Sequence, residues 1–193
     1  NKIENNDKLI KINHIVKKIK NFDTPLKKLA KNLVLYDGNL DAKVMFIGEA
    51  PGKEEDIKGV PFVGKAGQLL NKMLAAINLT RDEVYITNVV NWRPPDNRTP
   101  TDEEILEFLP FLQEQIDVVK PDIIFLLGSV AAKAILSTPL ALGKIRGSWH
   151  NYQSLNLNKT IYTIASYHPA FLLRSPKFKK AAWEDLQMLQ KKI

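Results

Sequence analysis

The chain contains no cysteine, and histidine occurs only at His14, His150 and His168. Without thiols, a protein can form neither disulfides nor Cys-ligated zinc and iron–sulfur sites. The three histidines are far apart in the sequence, so they do not show the close spacing of a metal site. We therefore expect no metal and no other cofactor.

Long apolar segments are missing as well. No run approaches the length of about 18 residues that a membrane span needs, and residues 1–6 are polar, unlike a signal peptide. We expect no membrane association, with the cytoplasm as the default location. The chain also lacks the P-loop and the Gly-x-Gly-x-x-Gly motif, which argues against the common nucleotide-binding α/β enzymes.

The composition favours one globular domain. The chain has 193 residues, of which 45% are hydrophobic, so we expect a single domain over residues 1–193. Residues 1–20 alternate lysine and isoleucine with helical spacing, which predicts an N-terminal helical extension. The net charge of +7 fits a polyanionic partner such as DNA, although the many lysines also fit a bias in the base composition of the gene.

Four short apolar runs predict strands, at residues 44–48, 84–90, 123–128 and 161–166. Helical patterns alternate with them, at residues 66–77, 101–119, 129–136 and 176–192, and a short helix with Leu26, Leu29 and Leu33 on its apolar side is predicted after Pro25. Alternating strands and helices indicate the α/β class, with a three-layer αβα sandwich around a four-stranded parallel sheet.

In such sheets the functional site lies at the carboxyl ends of the strands. This rule selects residues 48–64, 88–99, 128–129 and 166–176 as the segments that carry the chemistry.

The first two candidate motifs follow the first strand. Residues 48–56 form a Gly/Pro turn rich in carboxylates, among them Glu49 and Glu55, which is either a functional loop or an ordinary solvated acidic loop. Phe62 lies between prolines and glycines, where a rigid aromatic ring can stack on a base or simply anchor the loop in the core.

Asn88 lies inside the second apolar run, where a buried amide is costly unless it is paired. Its donor and acceptor match a pyrimidine edge that presents a carbonyl beside an N–H; the alternative is a cap on a neighbouring loop. Arg93 and Arg98 lie in the proline-rich loop that follows, where they either contact phosphates or remain solvated.

The last motif joins His168 to an apolar and basic segment. Leu172, Leu173 and Arg174 follow the histidine, and an apolar wedge beside an arginine is typical of a loop that penetrates DNA. The alternative is a structural histidine with leucines in the core.

Together these motifs resemble the uracil-DNA glycosylase superfamily, and specifically its family 4, over about residues 20–190. The resemblance rests on Gly-Glu-Ala-Pro-Gly at 48–52, Gly-Val-Pro-Phe-Val-Gly at 59–64, Thr-Asn-Val-Val at 87–90 with the Arg-Pro-Pro and Asn-Arg-Thr-Pro segments after it, and His-Pro-Ala-Phe-Leu-Leu-Arg at 168–174. It implies an enzyme of base excision repair that hydrolyses the N-glycosidic bond of a flipped uracil in DNA and leaves an abasic site.

The resemblance also implies a role for each candidate residue. His168 acts as a neutral donor to uracil O2, together with the main-chain N–H groups of Glu49 and Ala50. Asn88 recognises the pyrimidine edge, and Phe62 stacks on the ring.

The remaining implied roles concern DNA and water. Leu172 or Leu173 fills the gap in the duplex, while Arg93, Arg98 and Arg174 contact DNA. Glu49 and Glu55 are the two candidates for placing the water or for steadying the loop, and the sequence does not choose between them.

The chain departs from the family pattern at the iron–sulfur cluster. The family usually has four cluster cysteines, and the matching positions here are Asn21, Thr24, Trp92 and Phe108. The bulk of Trp92 and Phe108 is expected to replace the cluster by packing.

Two further comparisons with relatives bear on mechanism. The loop at residues 91–100 has no histidine, which argues against the covalent trapping seen in a sister group. Ala50 stands where the best-studied branch of the superfamily has a catalytic aspartate, so water activation must come from elsewhere or be weak.

The expected partner is uracil-containing DNA, bound by a monomer. The alternative function is a non-catalytic uracil- or DNA-binding module of a larger replication or repair protein, which the missing cluster and the missing initiator methionine favour.

Overall fold

A computed structural model describes residues 2–154 and 156–193, without the side chains of residues 2, 3 and 5. The α-helices within these ranges are α1 (Lys2–Asn21), α2 (Pro25–Leu29), α3 (Lys53–Lys58), α4 (Lys65–Ala76), α5 (Asp102–Val119), α6 (Ser129–Leu136), α7 (Leu142–Ile145), α8 (Pro169–Arg174) and α9 (Lys179–Gln190). The strands are β1 (Tyr36–Gly38), β2 (Val44–Gly48), β3 (Tyr85–Asn88), β4 (Ile123–Leu127), β5 (His150–Gln153) and β6 (Thr160–Ser166).

The strands form one sheet in the order β1-β3-β2-β4-β6-β5. The central strands β3, β2, β4 and β6 are parallel, as predicted. The prediction of four strands was wrong in number, because β1 and β5 add antiparallel edges to the sheet. Both edge strands are short and only partly buried, so they carry no apolar run that a sequence pattern could detect.

Helices cover both faces of the sheet, which confirms the three-layer sandwich. Alternate side chains of each strand point to opposite faces, so Met45 and Ile47 of β2 pack into a core with α1, α5 and α6, while Val44 and Phe46 pack into a second core with α4, α8 and α9. The four parallel strands therefore end at one edge, with their carboxyl ends close together.

The main helical predictions are confirmed, with small shifts. In α1, Ile12, Ile15 and Ile19 are buried, and Thr101 caps α5 by accepting a hydrogen bond from the Glu104 N–H at 3.2 Å. Leu29 was wrongly assigned to the apolar side of α2, because it is 68% exposed. The predicted helix at 176–192 begins as a 3-10 turn and becomes α9.

Three short helices were not predicted. The segments of α3 and α8 were expected to be loops, and α7 was not expected at all, because four to six residues are too few to show a helical period. Among the described helices, none is both long and apolar enough to cross a membrane.

Candidate active site

The four predicted strand-end segments meet around one cavity of about 690 Å³. Eight of the predicted site residues line it: Glu49, Ala50, Glu55, Phe62, Asn88, Arg98, His168 and Arg174. They come from segments up to about 120 residues apart in the sequence. The rule that parallel sheets carry their sites at the carboxyl ends of strands therefore selected segments that line one cavity.

Asn88 lies in the wall of the cavity at the end of β3. Asn88 is only 2% exposed, and its Oδ1 has no hydrogen-bond partner among the residues that the structure describes. A buried acceptor without a partner costs roughly 1–3 kcal/mol. Because the amide lines a cavity, a ligand with an N–H donor can satisfy it there.

Phe62 lies opposite Asn88, across Gly48. The Phe62 backbone is left-handed, with φ of 54°, and its ring stacks on the His168 ring with centroids 5.6 Å apart. A methyl group on Gly48 would lie 2.5 Å from both Asn88 Oδ1 and Phe62 Cζ. The ring is 5% exposed in the core and also lines the cavity. It therefore anchors the loop in the core, and its stacking on a base stays a prediction.

Arg81 holds the Phe62 loop from outside, a contact that no sequence motif indicated. Its guanidinium donates to the carbonyl oxygens of Phe62 at 2.9 Å and Pro61 at 2.7 Å, and to the Asp37 carboxylate at 2.7 Å. Arg81 lies in a 3-10 turn before β3, outside the motifs that contain Arg93, Arg98 and Arg174. The loop conformation, including the strained Phe62 backbone, is therefore fixed by a charged clamp.

Glu55 holds the same loop from the inside. Its Oε1 accepts hydrogen bonds from the N–H groups of Val63 and Gly64, both at 2.9 Å, and Oε2 accepts one from Gly52 at 3.2 Å. Both carboxylate oxygens thus have main-chain partners. This geometry ties the turn after β2 to the Phe62 loop.

Glu49 lies directly after β2 and has a different environment. Burial raises the pKa of Glu49 above its ordinary value, against the opposing effects of a hydrogen bond with Thr99 and the charge of Arg174. A carboxyl group of this kind in a cavity can accept a proton near neutral pH more readily than an exposed one.

His168 is fixed in one neutral tautomer. Burial lowers the pKa of His168 to about 4, with Arg174 acting in the same direction and Glu55 opposing it. Nδ1 accepts a hydrogen bond from the Ala170 N–H at 3.0 Å, so the proton of the neutral ring is on Nε2. His168 can therefore act as a hydrogen-bond donor without carrying a charge.

Helix α8 separates the two leucines of the predicted wedge. Leu172 is 1% exposed and packs in the core with Phe62 and Leu70, so the expectation that it can fill a duplex gap was wrong. Leu173 is 43% exposed, and Arg174 is exposed at the cavity mouth. A helical turn places adjacent residues on different sides, which the prediction of a loop did not allow for.

The two arginines of the proline-rich loop have partners within the protein. Arg98 forms a bidentate ion pair with Glu104, at 2.7 and 2.8 Å, and Arg93 donates to Asn97 Oδ1 at 2.7 Å. Arg93 does not line the cavity. Arg98 therefore also anchors the loop to the start of α5.

Several cavity residues were not singled out from the sequence: Asn97, Thr99, Ser129, Tyr167 and Phe171. All five lie within the selected strand-end segments. A single sequence does not show which polar or aromatic residue of a loop faces a cavity.

Comparison with known proteins agrees with this fold. The family model of the uracil DNA glycosylase superfamily matches residues 35–187, so the chain belongs to that superfamily. A type-4 uracil-DNA glycosylase of Pyrobaculum aerophilum is 43% identical over 175 residues, which cover 88% of each chain. A type-4 uracil-DNA glycosylase of Archaeoglobus fulgidus is 40% identical over 168 residues, covering 85% of this chain and 83% of the relative.

One further relative is a much larger protein. A DNA polymerase of Bacillus phage SP01 is 33% identical over 165 residues, which cover 85% of this chain and 17% of the polymerase.

The residues at the expected cluster positions do not fit an iron–sulfur cluster. The chain has no thiol, and Phe108 is fully buried, with the rings of Phe22 and Phe111 each 5.9 Å away and edge-on. Trp92 is 6% exposed in the same core. Both aromatic side chains are therefore packed in the core, and their replacement of the cluster stays a prediction.

Proposed function

We propose that this protein is a uracil-DNA glycosylase of the type-4 kind, which hydrolyses the N-glycosidic bond of a flipped uracil and leaves an abasic site in DNA. The observation that carries the proposal is the cavity in which Asn88, Phe62 and His168 meet. The names and identities of the type-4 relatives support it.

The cavity recognises uracil through Asn88 and Phe62. The buried Asn88 Oδ1 accepts the N3–H of the base, and the amide N–H groups donate to O4, an arrangement that cytosine does not match. Phe62 provides an aromatic surface for the ring. Flipping the base into this cavity costs a few kcal/mol, and less when uracil is mispaired.

His168 stabilises the departing uracil. As the bond between the sugar C1′ and uracil N1 breaks, the electron pair leaves with the base, and negative charge develops on O2. The Nε2–H of the neutral histidine and the main-chain N–H groups of Glu49 and Ala50 donate to that oxygen, which is the type of electrostatic stabilisation that dominates many enzymes.

Glu49 places the water, and Glu55 holds the loop. Two observations support this assignment. Both Glu55 oxygens accept main-chain N–H groups, while Glu49 lines the cavity with a raised pKa caused by burial. Water adds to C1′ of the oxocarbenium-like sugar, and its proton passes to the Glu49 carboxylate. No covalent enzyme intermediate is needed.

The proposed DNA contacts are assigned to side chains that solvent can reach. Leu173 fills the gap that the flipped base leaves, and Arg174 contacts a neighbouring phosphate. Arg93 and Arg98 contact the backbone further away, with Arg98 shared between DNA and Glu104.

We also propose that the protein acts as a monomer in the cytoplasm. The proposed single domain includes the N-terminal helix, because Ile12, Ile15 and Ile19 of α1 are buried against the rest of the described chain.

A second candidate function is a non-catalytic uracil- or DNA-binding module of a larger replication protein. The specific observation in its favour is the similarity to a segment that makes up 17% of a phage DNA polymerase.

A gel assay separates the two functions. Purified protein is incubated with a labelled duplex containing one U·G pair, and abasic sites are then cleaved with alkali. We expect strand cleavage, slowed at least ~100-fold in His168→Ala because one anion-stabilising donor is lost. Binding without cleavage would favour the non-catalytic module, and a loss of less than threefold in the variant would count against the role of His168.

A further inference from the structure

A largely buried ion pair lies against the end of β6, the strand that precedes His168. Asp185 of α9 is fully buried, and its carboxylate accepts from Arg146 Nε at 3.0 Å and from an Arg146 terminal nitrogen at 2.7 Å. Arg146 also donates to the Ala181 carbonyl at 2.7 Å. The pair links the end of α7 to the middle of α9, and neither residue lines the cavity.

The pair holds the last residue of β6. Ser166 is fully buried, and its hydroxyl donates to Asp185 Oδ2 at 2.7 Å. The Ser166 carbonyl in turn accepts from the Gly128 N–H at 2.8 Å, at the adjacent end of β4. Ser166 is thus fixed by both its side chain and its main chain, two residues before His168.

The pair also contacts the residue between them. The Arg146 guanidinium lies over the Tyr167 ring, 5.8 Å from its centroid, and Tyr167 stacks on Phe171 of α8 at 5.3 Å. The Arg146–Asp185 pair therefore contacts both Ser166 and Tyr167, the two residues that precede His168. His168 also packs closely on Gly128. A methyl group added to Gly128 would lie 3.0 Å from the His168 Cβ.

We infer that the Arg146–Asp185 ion pair positions His168, through Ser166 and Tyr167, so that Nε2–H points at uracil O2. This inference rests on the proposed function, and it makes Asp185, Arg146 and Ser166 positioning residues. A buried ion pair adds little stability compared with well-packed apolar residues. Its value here is geometric, because a catalytic group displaced by about 1 Å can lose ~100-fold in rate.

A double-mutant cycle under single-turnover conditions tests the link. Excision rates on a U·G duplex are measured for wild type, Asp185→Asn, His168→Ala and the double variant. We expect Asp185→Asn to lower the rate about 10- to 100-fold while DNA affinity changes little. In the His168→Ala background the same substitution should cost almost nothing, because the two residues act as one unit.

Two further variants control for folding. Ser166→Ala removes the hydroxyl but leaves the ion pair intact, and it should show a smaller loss with the same dependence on His168. Glu184→Gln changes a neighbouring carboxylate that is 55% exposed and 3.7 Å from Arg146, and it should leave the rate unchanged. If Asp185→Asn does not fold, as judged by its melting curve, the double-mutant cycle is measured with Ser166→Ala and His168→Ala instead.

A measurement without catalysis separates this inference from the proposed function. The chain has three histidines, so the ¹⁵N signals of the His168 ring can be assigned with His168→Ala. Asp185→Asn should shift or broaden them, and Glu184→Gln should not. Unchanged His168 signals, additive losses, or wild-type rates in both Asp185→Asn and Ser166→Ala would overturn the inference. Absence of uracil release from wild type would contradict the proposed function alone, because the ring signals still report the link.

Discussion

At the scale of single residues, two features of the site are costly without a ligand. Asn88 Oδ1 is buried without a partner in the described part of the chain, and Phe62 holds a left-handed backbone that costs about 1–3 kcal/mol. Arg81 and Glu55 offset this cost by binding the loop on both sides. A flat ligand with an N–H donor on its edge would give Asn88 Oδ1 a partner and would pack on the Phe62 ring.

Asn88→Asp tests recognition. A carboxylate presents no N–H to uracil O4, so we expect excision of uracil to fall severely or selectivity to relax toward cytosine. Rates on matched duplexes containing uracil or cytosine measure this. Asn91→Asp is the matched control, because Asn91 is buried nearby but does not line the cavity; it should lower stability without changing selectivity. Unchanged kinetics and selectivity in Asn88→Asp would rule out the recognition role.

The two glutamates should differ in their pH profiles. Glu49 must be ionised to accept a proton, and burial raises its pKa above 4.5, so wild-type excision should fall as the pH drops through that raised value. His168, with a pKa of about 4, remains neutral over most of this range. Glu49→Gln should be slow and lose this acid limb.

Glu55→Gln is the control for that profile. It weakens the acceptor of the loop N–H groups, so it should also be slow but keep the wild-type acid limb. An acid limb that persists in Glu49→Gln would assign proton acceptance to another group.

At the scale of elements, helix α8 decides which leucine meets DNA. Leu173→Ala should slow excision from duplex DNA more than from single strands and leave stability nearly unchanged, because the side chain is exposed. Leu172→Ala should instead destabilise the fold by about 2–5 kcal/mol, as deletion of a buried leucine side chain does. Excision rates on both substrates, together with urea unfolding curves, measure the pair. Equal stability losses in the two variants would contradict this assignment.

The elements also show what one sequence can and cannot predict. β2 and β4 are continuous apolar runs buried on both faces, so their pattern identified them. By contrast, β1 and β5 are held by pairing with a neighbour, and α8 begins where His168 caps the Ala170 N–H. Tertiary contacts define these elements, and a local pattern does not contain them. The contacts of Arg81 with Pro61 and Phe62 were invisible for the same reason.

At the scale of the whole molecule, aromatic side chains pack around Phe108, one of the positions expected to match a cluster cysteine. Phe22, Phe108 and Phe111 form edge-on contacts between α5 and the segment after α1. The sequence predicted the bulk of Phe108, but Phe22 and Phe111 were not recognised, because their contribution depends on how α1 crosses α5.

Phe108→Ala should therefore cost about 3–5 kcal/mol of unfolding free energy. Leu106→Ala is the control in the same helix, since Leu106 is 67% exposed, and it should change stability by no more than about 0.5 kcal/mol. Treatment with an iron chelator should leave the Tm of wild type unchanged. A Tm that falls on chelation, or a Phe108→Ala variant as stable as wild type, would contradict replacement of the cluster by packing.

The most direct test of the whole account is the release of free uracil by iron-free protein. Purified, chelator-treated protein in excess over a U·G duplex is sampled over time, and uracil is quantified by mass spectrometry beside the Asn88→Asp variant. We predict stoichiometric release of uracil by wild type and severely reduced release by the variant. DNA binding without any release of uracil would contradict the claim that this site excises uracil without an iron–sulfur cluster.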